Sequence, residues 1–503
     1  MHFATVTLDP AFAVGQVDPR LFGAFVEHMG RCVYTGIFEP GHPSADEHGF
    51  RDDVAQLTRD LGVPIVRYPG GNFVSGYRWE DGVGPASQRP TRLDLAWRSL
   101  ETNQVGVNEF QRWAAAVGSA TMMAVNLGTR GIDAARDLVE YCNVAAGTHW
   151  SDLRREHGAT DPHAVKVWCL GNEMDGPWQI GHKTAQEYGR LAAEAGKAMR
   201  RVDPGIELVA AGSSNRRMPT FGSWEATVLA ETYELVDYVS LHSYYEQHGD
   251  DRDSFLAVGV DMDRYIEEVV ATADHVRAVG RHRKRLHLAF DEWNVWYQDR
   301  FVGERNLEIG HAPRLIEDVY SVTDAVVVGS LLITLLRHAD RVRIGCLAQL
   351  VNVIGPIMTE PGGSAWRQSI YHPFALTSRH GRGTVLRVEP RGPVHDTADH
   401  GEVPTLDAVA VRAADGESLA LFAVNRDRTR PMTLDVDLRG MPGLATAEHV
   451  AIADDDADAV NTAADPDRVV PRRLDEPKVD SGRLSAVLPP LSWNMIRLVG
   501  GRR

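Results

Sequence analysis

Two glutamates stand out by where they sit in the chain. Glu173, in VWCLGNEMDGPWQIG, follows a short apolar run and comes two residues after a glycine. Glu292, in LHLAFDEWNVWY, also follows an apolar run and is flanked by Trp293 and Trp296. Short aliphatic runs bounded by Gly, Asp or Asn read as buried parallel strands, so both carboxyls fall at strand ends. Burial among aromatics raises a carboxyl pKa, while hydrogen bonds and positive neighbours lower it. Glutamates on two strands of one barrel can therefore hold opposite protonation states. Glycosidic cleavage needs that division: one acid protonates the leaving oxygen, and one carboxylate attacks or activates water. The plainer alternative is a pair of helix caps.

Other polar residues fall at the ends of similar runs: Glu27-His28, Arg67-Tyr68, Asn126, Asn172, His242 with Tyr244, Asp291 and Gln349. A solvated strand end or a helix cap explains any one of them. Seven ends converging on one face are harder to explain that way, because the carboxyl ends of barrel strands are where reactive groups gather. His242 could be a satisfied core histidine, or could donate to Glu292 from the preceding strand and keep it ionised. The segment RYPGGNFVSGYRWEDGVGP (67–85) turns at Gly70-Gly71, and Asn72 follows where it could bind a hydroxylated ligand. No P-loop or GxGxxG pattern is present. Trp79, Trp97, Trp178 and Trp296 are candidates either for the core or for platforms on which sugar rings stack. No His-x-His, HExxH or Asp triad suggests a metal, so the expected metal and cofactor content is none.

The elements that must hold these groups are legible as texture. Between residues 20 and 375, eight apolar runs (21–28, 63–68, 121–127, 165–170, 206–212, 237–242, 286–293 and 344–351) alternate with helical patterns such as 133–147 and 184–202. Eight strands with intervening helices predict an α/β fold with a closed (β/α)8 TIM barrel, here over 19–375. From 376 to 503, short alternating runs (406–413, 418–426, 432–438 and 483–499) punctuated by Asp, Pro and Gly predict a C-terminal antiparallel β-sandwich, jelly-roll-like. Residues 3–10 alternate too, so residues 1–18 are expected to join that sandwich. The stretch 453–467, ADDDADAVNTAADPD, reads as an acidic surface loop.

With 503 residues, 43% hydrophobic and 24% charged, the chain is globular rather than disordered. Its net charge of −16 disfavours a nucleic-acid partner and suits an uncharged ligand. Cys32, Cys142, Cys169 and Cys346 show no paired spacing and are expected to be buried free thiols in a reducing compartment. The N-terminus has no secretory pattern, and the longest apolar stretch, 325–336, is well short of the about 18–20 residues a membrane span needs. The expected location is the cytoplasm, with no membrane association.

In chain order, RYPGGNFVSGYRWEDGVGP, WCLGNEMDGPWQIG, SLHSYY and FDEWNVWY resemble glycoside hydrolase family 51, the retaining α-L-arabinofuranosidases. The likeness implies that Glu173 is the general acid/base, Asn172 its neighbour on the sugar 2-hydroxyl, and Glu292 the nucleophile. It assigns Glu27, Arg67, Asn72, Tyr244 and Gln349 to the innermost sugar subsite or to holding the nucleophile. His242 supports the nucleophile, and Trp97 and Trp296 lie near the leaving group. It also implies a homo-oligomer, often a hexamer, acting on arabinofuranosyl-containing oligosaccharides. The loop 299–315 has no clear counterpart in the family pattern. Ser243 is smaller than the residue expected between His242 and Tyr244.

The expected reaction is exo-acting, retaining release of terminal non-reducing α-L-arabinofuranosyl residues from arabinan and arabinoxylan fragments. Three rivals stand beside it: the same two-glutamate chemistry on a β-xyloside or β-glucan, a non-catalytic carbohydrate-binding protein, and a metal-dependent barrel isomerase or hydrolase.

Overall fold

A computed structural model describes residues 1–500. Its centre is a closed barrel of eight parallel strands: β1 Gly23–Phe25, β2 Ile65–Tyr68, β3 Ala120–Val125, β4 Val167–Leu170, β5 Glu207–Ala210, β6 Tyr238–Tyr245, β7 His287–Val295 and β8 Val342–Ala348. Neighbours follow sequence order, and β8 closes on β1 through pairs such as Leu347 with Ala24. Each of the eight apolar runs thus yields one barrel strand. The first is shorter than its run because Pro19–Phe22 forms a 3-10 turn whose first backbone N–H groups are capped by Asp18.

The pleat sends alternate side chains inward. Met122 and Ala124, Val167 and Cys169, and Ile344, Cys346 and Ala348 fill the lumen together with Phe25 and Ile65. Trp168 and Leu170 face outward into the larger core beneath the helices. Strand β7 breaks this alternation. Ser240 pairs with Ala289 and His242 with Glu292, so two steps along β6 match three along β7. The extra residue is a β-bulge, a common device for re-aiming a side chain beside a site.

The helices follow from caps and spacing. Ala185–Val202 starts at Thr184, whose hydroxyl accepts the Glu187 N–H while the Glu187 carboxylate accepts the Thr184 N–H. Its buried Tyr188, Ala192, Ala195 and Met199 recur every three or four residues. Val322–Arg337 differs, because every residue from Val322 to Leu336 is buried. One side packs on the barrel and the other on the sandwich strands Leu406–Arg412, Ser418–Asn425 and Ser492–Gly500. Hydrophobic all round, it is a buried connector, and no helix among the described residues is long and apolar enough to cross a membrane.

Two sheets form the sandwich. Seven strands, Ala13–Gln16, Thr384–Leu386, Leu406–Arg412, Ser418–Asn425, Ser492–Gly500, Leu444–Ile452 and Arg472–Arg473, face four, His2–Leu8, Met432–Leu438, Arg483–Leu488 and Lys478–Asp480. Strict burial alternation in Met432–Leu438 and Arg483–Leu488 supplies the core between the sheets. The N-terminal segment enters both sheets. Its strand His2–Leu8 runs parallel to Met432–Leu438, so the sandwich departs from the purely antiparallel expectation.

Helix Tyr371–His380 runs across the expected boundary at 375/376, and the first sandwich strand after it begins at Thr384. The acidic stretch 453–467 is only partly a surface loop. Ala459 and Asn461 are buried, and the Ala457 carbonyl accepts the Thr323 hydroxyl, so it docks on the start of the connecting helix. All four cysteines are buried and free.

Candidate active site

Glu173 lies just beyond β4 and Glu292 on β7, and both border a cavity of about 440 Å³. With His242 of β6 they form a tight group: one nitrogen of His242 and one oxygen from each carboxyl lie within 4.8 Å of one another. Glu173 adopts φ 43°, a left-handed conformation that costs a non-glycine residue about 1–2 kcal/mol and here turns the side chain into the mouth. Its two oxygens lie 3.0 Å from His242 Nδ1 and 2.7 Å from Trp178 Nε1.

Glu292 is held at both oxygens. Arg67 Nη1 donates to Oε1 at 2.5 Å, and the Tyr244 hydroxyl donates to Oε2 at 2.8 Å. Arg67 also donates to Asn172 Oδ1 at 2.7 Å, and its Nε lies 3.1 Å from Asp291 Oδ2. His242 differs from the sequence expectation. Its hydrogen bond runs to Glu173, while Glu292 lies 3.6 Å from the same nitrogen. The β7 bulge brings Glu292 opposite the imidazole on the neighbouring strand, so His242 stands between the two glutamates.

Around this pair stand groups suited to hydroxyls. Glu27 accepts the Phe73 N–H and the Trp97 indole N–H at 2.9 Å each, and Gln349 Nε2 lies 3.3 Å away. Asn72 accepts from Gln179 and, at 3.4 Å, from Asn172. Trp296 packs edge-on against Tyr244 at 5.2 Å between ring centroids, and its buried indole N–H has no partner among the described residues. Trp178, 43% exposed, closes one side of the cavity.

Burial alone would lower the His242 pKa, but Glu292, Asp291 and Glu173 outweigh it and push it up to about 10. Burial would raise Asp291, yet Arg67, His242 and Ser240 hold it below the ordinary carboxylate range. For Glu292, burial wins and raises the carboxyl against the pull of His242 and Arg67, with Glu173 adding to the rise. Two cations, Arg67 and His242, thus face one ionised aspartate and two glutamates. Neutrality is reached when the glutamates share a single proton, which is the state an acid and a carboxylate working together require.

Glu173, His242 and Glu292 also have the spacing of a cation site. The fit is poor, because a protonated imidazole offers no lone pair and Arg67 already occupies Glu292.

Not every residue singled out from the sequence reaches this place. Asn126 caps its own turn, accepting from the Gly128 and Thr129 N–H groups and donating to the Tyr77 carbonyl. His28 is buried between Glu101 and Tyr68, and Trp79 donates to the Ala134 carbonyl in the core. Arg67 lies beneath the cavity rather than lining it. Glu27, Asn72, Trp97, Tyr244, Trp296 and Gln349 line it, as does Ser243. Gln179 and Ser240 were not singled out. Ser240 could have been found by its parity with His242 on a lumen-facing strand, whereas nothing in the spacing signals Gln179. From the loop 299–315, Phe301 and Glu304 line the cavity, and Phe301 sits 6.4 Å from Trp97 and 6.0 Å from Trp296 between ring centroids.

Comparison with known proteins bears on the same residues. A family model described as the α-L-arabinofuranosidase 1 domain matches residues 57–263, and one described as the α-L-arabinofuranosidase C-terminal domain matches 291–492. The chain is 60% identical over 500 residues to an intracellular exo-α-(1→5)-L-arabinofuranosidase of Streptomyces lividans, covering 99% of this chain and 75% of that one. It is 55% identical over 495 residues to the protein so named from Halalkalibacterium halodurans, covering 98% and 99%. Among solved structures, a family 51 α-L-arabinofuranosidase from Bifidobacterium longum superposes with TM-score 0.95 at 47% identity, covering 99% of each chain.

Proposed function

This chain belongs to the α-L-arabinofuranosidases of glycoside hydrolase family 51, and from that premise we propose that it releases terminal non-reducing α-L-arabinofuranosyl residues by a retaining double displacement. The observation that carries the mechanism is the approach of Glu173 and Glu292, with an oxygen of each within 4.8 Å of the other. That spacing supports direct attack on the sugar, for which carboxyls stand roughly 5–5.5 Å apart; inversion needs room for a water and about 6.5–9.5 Å.

The hydrogen bonds support the division of roles. Arg67 and Tyr244 fix both oxygens of Glu292 as an attacking carboxylate requires, and the family likeness gives Glu173 the part of the acid. In the first step a Glu292 oxygen bonds to the anomeric carbon as the glycosidic bond breaks, and the Glu173 proton goes to the departing oxygen. In the second, Glu173 takes a proton from water, the water oxygen bonds to the anomeric carbon, and Glu292 leaves as carboxylate. Proton transfer of this kind contributes about 10²–10⁴-fold. Glu27, Asn72, Asn172 and Gln349 orient the sugar hydroxyls, and Trp97 and Trp296 flank the leaving group. Tyr244 and Arg67 hold the nucleophile.

The names of the relatives support α-1,5-linked arabino-oligosaccharides as substrates and an intracellular location, hence a role in using arabinan fragments. A homohexamer is the assembly the family likeness supports, and sedimentation of the full chain tests it.

The decisive experiment is a panel of nitrophenyl glycosides with product stereochemistry followed by NMR. Arabinofuranoside turnover should far exceed xylopyranoside turnover, with retained configuration. Glu292→Ala should nearly abolish activity. Glu173→Ala should spare the first step for good leaving groups and be rescued by azide. An unimpaired Glu292→Ala enzyme, or preference for the xyloside, overturns the proposal.

A further inference from the structure

Asp291 is a carboxylate with no access to the sugar. It is fully buried, does not border the cavity, and lies directly under the working pair because the β7 bulge brings it inward beside Glu292. Burying a charge this deeply is costly unless it is paired. Its pairing is specific: Oδ1 accepts the Ser240 hydroxyl at 2.6 Å and lies 3.5 Å from His242 Nε2, which is itself 3.1 Å from the Ser240 oxygen, while Oδ2 lies 3.1 Å from Arg67 Nε. The imidazole continues the line, its Nδ1 standing 3.0 Å from Glu173 and 3.6 Å from Glu292. Building on the function proposed above, we propose that Asp291 is a positioning residue that keeps His242 an imidazolium held against the working pair.

The surroundings leave this task to Asp291. The other titratable groups around it are the thiols of Cys169 on β4 and Cys346 on β8 and the Tyr188 hydroxyl, all pushed up by burial and neutral. The cations facing it are Arg67 and His242, and the carboxyls beyond the imidazole are Glu173 and Glu292. Asp291 is therefore the charge that offsets one of two buried cations, as a buried aspartate does when it orients an imidazole and stabilises its protonated form. Neutralising it leaves the pocket one charge more positive. His242 then lacks one of the charges that hold its proton and gives that proton up at lower pH. The limb of the rate profile set by loss of the imidazolium proton must move acidward.

The test uses the full chain carrying Asp291→Asn, with kcat and KM for 4-nitrophenyl α-L-arabinofuranoside followed between about pH 4 and about pH 10. The expected result is a kcat lowered about tenfold or more at the optimum, KM little changed, and the basic limb displaced by about one unit to lower pH. A folded variant whose basic limb coincides with that of the parent overturns the proposal, even if its stability falls. Should the variant not fold, nitrogen NMR of His242 in Ser240→Ala, which removes the hydroxyl between Asp291 and the imidazole, is set against the parent, the resonance being assigned by its absence from His242→Gln. A ring that loses its proton at lower pH than in the parent supports Asp291, and coincident titration overturns it. If the parent proves inactive on arabinofuranosides, it is the proposed function that fails, and the His242 resonance still judges Asp291 on its own.

Discussion

Glu27 shows how one carboxyl shapes its neighbours. A Cβ on Gly71 would lie 2.7 Å from Glu27 Oε2, so this position must be glycine for the backbone to pass the carboxyl and present Asn72. Burial raises the Glu27 pKa to about 8, because the Phe73 and Trp97 donors offset only part of the desolvation and Glu292 adds repulsion. The folded state therefore binds this proton more tightly than the unfolded chain. Its contribution to stability is fully present below the unfolded value of about 4.5 and is lost as pH rises toward 8. Chemical denaturation of the parent should show a decline of up to a few kcal/mol over that window, with Glu27→Gln showing a markedly flatter curve. Equal slopes would mean that Glu27 ionises normally in the folded protein.

Among the elements, the helix Val322–Arg337 carries the most consequence, because both faces are spoken for. Gly329 lies where a Cβ would come 2.1 Å from Trp493 Cδ1, on a sandwich strand whose indole is fully buried. Alanine would favour the helix by about 1 kcal/mol. Overpacking a rigid, buried ring costs about 1–3 kcal/mol or more, so the clash wins. Gly329→Ala should lower stability by about 1–2 kcal/mol, read as a reduced Tm, while kcat/KM at low temperature stays close to that of the parent. The bulge in β7 is the other decisive element: without its extra residue, Asp291 and Glu292 would alternate to opposite faces of the strand and could not both meet His242.

At the scale of the whole molecule, barrel and sandwich are joined by a buried ionic knot as well as by apolar packing. Asp407 on the sandwich accepts from Arg426 and Arg337 at 2.8 Å each and from the Ser330 hydroxyl at 2.5 Å, the last two on the connecting helix. Arg426 and Asp407 are almost completely buried. Breaking such a knot on one side strands the other charge, at about 3–5 kcal/mol. Asp407→Ala should therefore destabilise the whole chain by that amount in denaturant titration, and the loss should fall on barrel and sandwich signals together. A loss confined to sandwich signals would show that the two units unfold separately.

Periodicity and punctuation by themselves determined the eight barrel strands, the strand-rich C-terminal region and the two glutamates at strand ends, because each depends on local alternation and on turn residues that the chain carries with it. The polar residues at strand ends were legible for the same reason, though Asn126 and His28 share that pattern and serve elsewhere, Asn126 in its own turn and His28 between Glu101 and Tyr68. Tertiary structure alone decided which groups meet. The bulge sets Asp291 and Glu292 both against His242, the left-handed φ of Glu173 turns its carboxyl into the mouth, and Gln179 reaches Asn72 across the site. Register between strands and the reach of a side chain from one loop to another are set by packing over long sequence separations, and nothing in the immediate neighbourhood of those residues encodes them.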